Sequence, residues 1–178
     1  MAEGEPRRIG VTVEMKPHAY DPVLNPELFA GVPARRVIAF AIDVAIILAP
    51  VALAFVFIIL LGLVTFGLGW ALLWLLYPGT VIWGLIYYGS TFAGPASATI
   101  GMRVMEIEMR TWYGAPCYFV LGAVHAVAFY VSMSALTPLV LVVCFFNRRQ
   151  RLLHDIVLGT VVINNANRAA ALRQVGAI

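Results

Sequence analysis

The stretch RRVIAFAIDVAIILAPVALAFVFIILL, residues 35–61, decides how the rest of this chain is read. Behind Arg35 and Arg36 it runs from Val37 to Leu61 with Asp43 as its one charged side chain. As a helix, that run is long enough to cross a hydrocarbon core of about 30 Å with some tilt. A glycine-punctuated, uncharged connection at 62–69 (GLVTFGLG) leads to a second apolar run at 70–90 (WALLWLLYPGTVIWGLIYYGS), rich in the Trp and Tyr that suit a headgroup region. A third apolar stretch occupies 117–146; it is long for one crossing and short for two. Pro138 near its middle either kinks one tilted helix or marks the turn of a shallow hairpin.

Composition agrees with that reading. Of the 178 residues 62% are hydrophobic and 12% charged, and the mean hydropathy is +0.90. The charged share is about half that of an ordinary soluble domain, which excludes a soluble globular protein. The net charge of +3 and pI near 9.1 arise from a short basic tail beside apolar segments, with no nucleic-acid motif, so a membrane surface is the partner expected and nucleic acid is not. Every Lys and Arg falls within residues 7–36, 103–110 or 148–173, and the positive-inside rule assigns those regions to the cytoplasm. Arg7 and Arg8 lead into IGVTVEMKPHAYD rather than an apolar run, so neither a secretory nor a twin-arginine signal is expected.

Three segments outside the apolar runs have a different period. VTVEM at 11–15 and RVMEIEM at 103–109 alternate or nearly so, and TVVI at 160–163 is β-branched; all three are candidate strands. If they pair in one sheet, the N-terminal arm, the middle loop and the tail share a compartment. Glu106 and Glu108 would then lie on a solvated face of the middle strand. The fold class expected is all-α: a polytopic transmembrane helical bundle with a small extramembrane β element. Its divisions are an arm at 1–34, partly extended by Pro6, Pro17, Pro22, Pro26 and Pro33, a transmembrane unit at 35–163 with spans at 37–61, 70–90 and 117–146, and a tail at 164–178.

Chemistry-bearing residues are few. Cys117 and Cys144 stand at opposite ends of the third stretch, His18, His125 and His154 are scattered without ligand spacing, and no cofactor, metal site or catalytic residue is expected. Ser132, Ser134 and His125 form no hydrolase motif, so an enzyme is the poorest reading. Asp43, about two turns inside the first run, costs on the order of 2.5–3.5 kcal/mol in lipid and needs a partner. Arg36, seven residues earlier, shares its helix face but lies about 10 Å away along the axis. The tail supplies a third member in Asp155, next to His154 and flanked by Arg148, Arg149 and Arg151, and Arg36 between two carboxylates would be neutralised by both. Arg35 is read as a snorkelling anchor and His125 as a secondary candidate. Pro50, Pro78 and Pro138 interrupt the three stretches, and Ala41, Ala45 and Ala49, spaced by four, offer a close-packing seam within the chain or in a homo-oligomer.

RRVIAFAID at 35–43 followed by RRQRLLHDIVLGTVVI at 148–163 resembles the RDD family of bacterial membrane proteins, named for one arginine and two aspartates. By motif position these fall on Arg36, Asp43 and Asp155. SATIGMRVMEIEMRTWYGAP at 97–116 is similar to that family's Thr-x-Gly-Lys segment and the strand-turn after it, and the resemblance covers 35–163. The chain departs from the pattern at Met102, where a basic residue is frequent, and at His125, where an arginine is. The resemblance implies a multi-pass protein of the bacterial inner membrane; the charge distribution favours both termini in the cytoplasm, the alternative being a single crossing by the third stretch with the C-terminus outside. For some members it implies transport of solutes, sodium/proton exchange included. The functional expectation is therefore solute or ion transport through an Arg36–Asp43–Asp155 network, with the lipid bilayer, a proton or cation, and further copies of the chain as partners. The alternative is a non-transporting assembly or interaction subunit in which the same triad is a structural clasp.

Overall fold

A computed structural model describes residues 19–136 and 143–176. Two long apolar helices dominate it: α1 (Val32–Val64) and α2 (Leu73–Phe92), joined by a tight turn with a 3-10 segment at Leu68–Leu72. Pro33 lies in the first turn of α1, where its missing N–H costs no intrahelical bond and its fixed φ starts the helix early. Thus α1 begins at Val32 rather than 37. Its 33 residues extend about 50 Å. At the far end the Thr65 hydroxyl donates to Leu61 O at 2.7 Å and accepts from Gly69 N at 2.8 Å, while Trp70 Nε1 donates to Ile59 O at 3.3 Å. These bonds close the hairpin. Along both helices large apolar side chains face outward, among them Leu53, Phe57, Leu63 and Trp74. Two helices so apolar and so exposed belong in apolar surroundings.

The buried face of α1 is Ala39, Asp43 and Ile47, spaced by four. The seam expected at Ala41, Ala45 and Ala49 is exposed, so it packs against nothing among the described residues.

At the end where α1 starts and α2 finishes, the chain builds a compact cap from α3 (Ile100–Val104), β1 (Ile107–Thr111), α4 (Phe119–Leu136), α5 (Leu153–Leu158), β2 (Thr160–Asn164) and α6 (Ala166–Gly176). The strands β1 and β2 pair antiparallel, Ile107 opposite Asn164 and Thr111 opposite Thr160. The strand expected over 103–109 starts later. Thr99 accepts from Met102 N and starts α3, which claims Arg103 and Val104, and Glu106 turns the chain at φ 56°. Glu106 is therefore not on the strand, and Glu108 is held by Arg110 at 2.9 Å. The strand expected at 11–15, His18 and Pro138 lie outside the described residues. In the third stretch α4 covers 119–136, and a 3-10 turn follows at Val143–Phe146. The tail expected at 164–178 instead holds a helix, α6, opened by Asn165 Oδ1 accepting from Arg168 N at 2.9 Å. It docks on the chain ahead of α1, where Arg173 pairs with Glu27 at 2.6 Å.

The core lies inside this cap, where Tyr88 and Phe92 of α2 pack with Met102, Ile107, Met109 and Val162. Asn164 Nδ2 donates to Glu27 O and Ala30 O, tying β2 to the entrance of α1. The sheet thereby fixes α5, which immediately precedes it, against the first turns of α1.

Candidate functional site

Asp155 is fully buried at the third position of α5, and its Oδ2 reaches back to accept from Leu152 N at 3.0 Å. Gly159 ends the helix at φ 64°, a left-handed conformation in which a Cβ is strained, so the glycine of HDIVLGT is what lets β2 begin at once. Around Asp155 three basic side chains converge. Arg36 Nη1 stands 2.6 Å from Oδ2, His125 Nε2 is 2.8 Å from Oδ1, and His154 Nε2 is 3.7 Å from the same oxygen. Thr160 Oγ1 donates to Oδ1 at 3.4 Å. The Arg36 approach is close enough for an ion pair, but its N–H bonds are not aligned on the carboxylate, and Nη2 has no hydrogen-bond partner among the described residues.

Burial by itself raises the Asp155 carboxyl, but the Arg36 guanidinium and the His125 imidazole outweigh it and hold the group well below the usual carboxylate range. Burial pushes the His154 imidazole down to about 4 against the opposing pull of Asp155, so His154 is neutral at physiological pH. Its contact with Asp155 is then polar and not an ion pair.

Asp43 sits elsewhere than expected. Its carboxylate accepts from Tyr87 Oη at 2.5 Å, Thr99 Oγ1 at 2.6 Å and Gly101 N at 2.8 Å, and no ion pair joins it to Arg36 among the described residues. The expected arrangement of Arg36 between two carboxylates is therefore corrected: one turn-rich segment, SATIG, brings neutral donors to Asp43 directly. Gly101 makes this possible, because a Cβ there would lie 2.1 Å from Ala39 O. None of Tyr87, Thr99 and Gly101 is among the site residues expected from the sequence; the Thr-x-Gly of SATIG is the signal that points to Thr99 and Gly101, and nothing in the second apolar run marks Tyr87.

Arg35 is likewise no free anchor. It donates to Met105 O at 2.6 Å and lies 3.6 Å from Glu106. Arg151 turns inward, donating from Nη2 to Asp155 O at 2.6 Å and from Nε to Thr160 O at 2.8 Å with its guanidinium 4.6 Å above the Trp112 ring. The histidines, apparently scattered in sequence, are partly gathered by the fold: the rings of His125 and His154 stand 4.9 Å apart, and one ligand atom from each plus one Asp155 oxygen lie within 4.8 Å of one another.

Arg36, Asp43, Thr99, His125 and His154 all line one cavity of about 90 Å³, with Phe40, Tyr88 and Phe129 as apolar walls. That is room for several waters. Chemically the arrangement can hold a proton, a cation or a small polar ligand between a buried carboxylate with neutral donors and a buried carboxylate with basic ones.

No curated protein and no solved structure matches the chain. The sequence pattern of the RDD family matches residues 30–159, which takes in Arg36, Asp43 and Asp155 together with the segments that join them. With the match spanning most of the chain and running from just before Arg36 to just past Asp155, the protein belongs to the RDD family.

Proposed function

We propose that the protein is a multi-pass component of the bacterial inner membrane that contributes to ion or solute movement, with Asp43 as the exchangeable proton- or cation-binding group. The observation that carries this reading is the shared cavity, which Asp43 lines together with Arg36 and His125, the last two both bound to Asp155. A cation or proton arriving at Asp43 competes with the Tyr87, Thr99 and Gly101 donors. It thereby biases α1 against α3 between two arrangements. In this reading α1 and α2 cross the bilayer and the cap lies on the cytoplasmic side with both termini. Support comes from the basic residues of the cap and from the third stretch, whose Phe119 packs near Gly89 and whose Cys144 shares a pocket with Pro33. Both ends of that stretch are thus near the same end of the long helices. Two crossings give one chain little room for a private aqueous path, so transport calls for several copies, and the exposed Ala41, Ala45 and Ala49 offer a seam for them.

Reconstituted vesicles carrying a proton or sodium gradient test this. Asp43→Asn is expected to fold with the wild type and to lose gradient-dependent flux. Wild-type vesicles that dissipate neither gradient overturn the reading.

A second reading is favoured by the saturation of both carboxylates. Asp43 accepts three internal hydrogen bonds and Asp155 is bound from α1, α4 and the turn before α5, which is how a fixed clasp would be built. It expects Asp43→Asn to lower stability or membrane abundance with no separate activity to lose.

A further inference from the structure

We propose that His125, His154 and Asp155 form a binding site for one divalent transition metal of the zinc class. Their ligand atoms lie within 4.8 Å of one another, with Asp155 Oδ1 at 2.8 Å from His125 Nε2 and 3.7 Å from His154 Nε2. Donors around a tetrahedral zinc stand about 3.4 Å apart, so closing this set on an ion opens the 2.8 Å pair and draws the widest pair in from 4.8 Å, shifts of about 1 Å or less in each side chain. Two imidazoles and one carboxylate select zinc, cobalt, nickel or ferrous iron over magnesium and calcium, which prefer oxygen shells.

The surroundings hold the donors in place. Leu152 N and Arg36 occupy Oδ2 of Asp155, while Oδ1 faces His125 at 2.8 Å and takes only a long bond from Thr160 at 3.4 Å, so an ion bound there replaces the direct His125 contact. The Ser132 hydroxyl lies 3.5 Å from His154 Nδ1, which leaves Nε2 turned toward Asp155. The ring of Phe92 sits edge-on to His125 at 5.8 Å, and that of Phe129 edge-on to His154 at 5.3 Å, limiting rotation of both imidazoles. Both imidazoles border the 90 Å³ cavity, which supplies the open coordination position with space for water.

Charge does not forbid the ion. Arg36 adds a positive charge beside it, but Asp155 is itself a ligand and Asp43 lines the cavity that both imidazoles border, and a metal-bound hydroxide would neutralise the remainder while accepting from the unpartnered Arg36 Nη2. The inference concerns binding and stands whether or not the protein transports anything. A metal-loaded protein that is inert in vesicles fails the transport reading and leaves this one intact.

The test uses the full chain, purified in detergent without a histidine tag and stripped with a chelator. Titration with Co²⁺ is expected to give visible d–d bands that saturate at one ion per chain, are displaced by Zn²⁺ and persist in excess Mg²⁺. His125→Arg places a hydrogen-bonding side chain opposite Asp155 and His154→Gln keeps a polar side chain; each is expected to weaken Co²⁺ binding by on the order of 100-fold. Zinc X-ray absorption on the wild-type protein gives the ligand count without any variant, two imidazoles plus oxygen being expected. No stoichiometric binding, binding undiminished in both folded variants, or a shell of oxygens alone overturns the proposal.

Discussion

Asp155 Oδ2 lies 2.6 Å from Arg36 Nη1, so the last short helix is joined by charge to the first turns of the first long one across more than a hundred residues of chain. The relationship is asymmetric. Asp155 also holds His125 and Leu152 N, whereas Arg36 leans on Asp155 alone among the described ion pairs. Asp155→Ala leaves a buried guanidinium without its counter-charge and is expected to cost about 3–5 kcal/mol. Arg36→Met leaves Asp155 with its other partners and is expected to cost about 1–3 kcal/mol. Denaturant unfolding in micelles ranks the two; an equal or larger loss for Arg36→Met would remove Asp155 as the hub.

Gly101→Ala tests the seat of Asp43. The new methyl would meet Ala39 O at 2.1 Å and Asp43 Oδ1 at 2.9 Å, and backbone on α1 cannot swing aside as a side chain can. Separating α3 from α1 also withdraws Gly101 N and Thr99 Oγ1 from the carboxylate. A loss of about 3 kcal/mol or more is expected, combining overpacking with a weakened charged acceptor. Thr99→Ser, which keeps both the cap to Met102 N and the bond to Asp43, is expected to stay within about 1 kcal/mol of wild type. Thermal unfolding of the two variants side by side decides.

How far the sequence reaches can be seen at these same residues. The long helices are legible because 25 consecutive residues from 37 to 61 carry only Asp43 as a charge, and their hairpin follows from the uncharged link. The pairing of 107–111 with 160–164 is legible from alternation and β-branching, though Thr99 starts a helix that takes the front of the expected strand. The meeting of Arg36 with Asp155 is suggested by motif, but the donors of Asp43 are not. Tyr87, Thr99 and Gly101 are ordinary residues that matter only through where three elements converge. His125 pairs with a carboxylate 30 residues away, and its helix has no polar periodicity to mark which face is turned inward.

Acidification gives a further test, made on chelator-treated protein so that no ion competes with protons. Burial holds His154 down to about 4, with Asp155, His125 and Arg36 as its charged neighbours. An unfolded chain takes up that proton near pH 6.5, so its uptake favours unfolding. The contribution of His154 is complete above about pH 6.5, declines as pH falls through the interval, and is exhausted near 4. Asp155, held well below the usual carboxylate range, adds a loss only at lower pH, as acid reaches its folded-state value. The expected thermal midpoint falls steadily from about pH 6.5 toward 4, and His154→Gln flattens that interval without removing the loss at lower pH. A wild-type midpoint constant across the interval would show that His154 is not held neutral.

Arg151 and Arg149 separate a structural arginine from a neighbour of the same chemistry. Arg151 is 5% exposed, donates to three carbonyls, those of Asp155 and Ile156 in α5 and of Thr160 in β2, and lies 4.6 Å over Trp112. Arg149 is half-buried, donates to Tyr20 O at 3.3 Å and lies 5.4 Å from the same ring. A lysine at 151 keeps the charge but has one compact ammonium where a planar fork met three acceptors and an aromatic face. Arg151→Lys is therefore expected to cost about 1–3 kcal/mol and to shift the Trp112 emission, while Arg149→Lys stays within about 1 kcal/mol. Because Arg151 binds the carbonyl of Asp155 itself, its loss should also loosen the carboxylate's approach to Arg36, so Arg151→Lys and Arg36→Met are expected to be non-additive. Additive losses in that double-variant cycle would mean that the two arginines act on α5 independently.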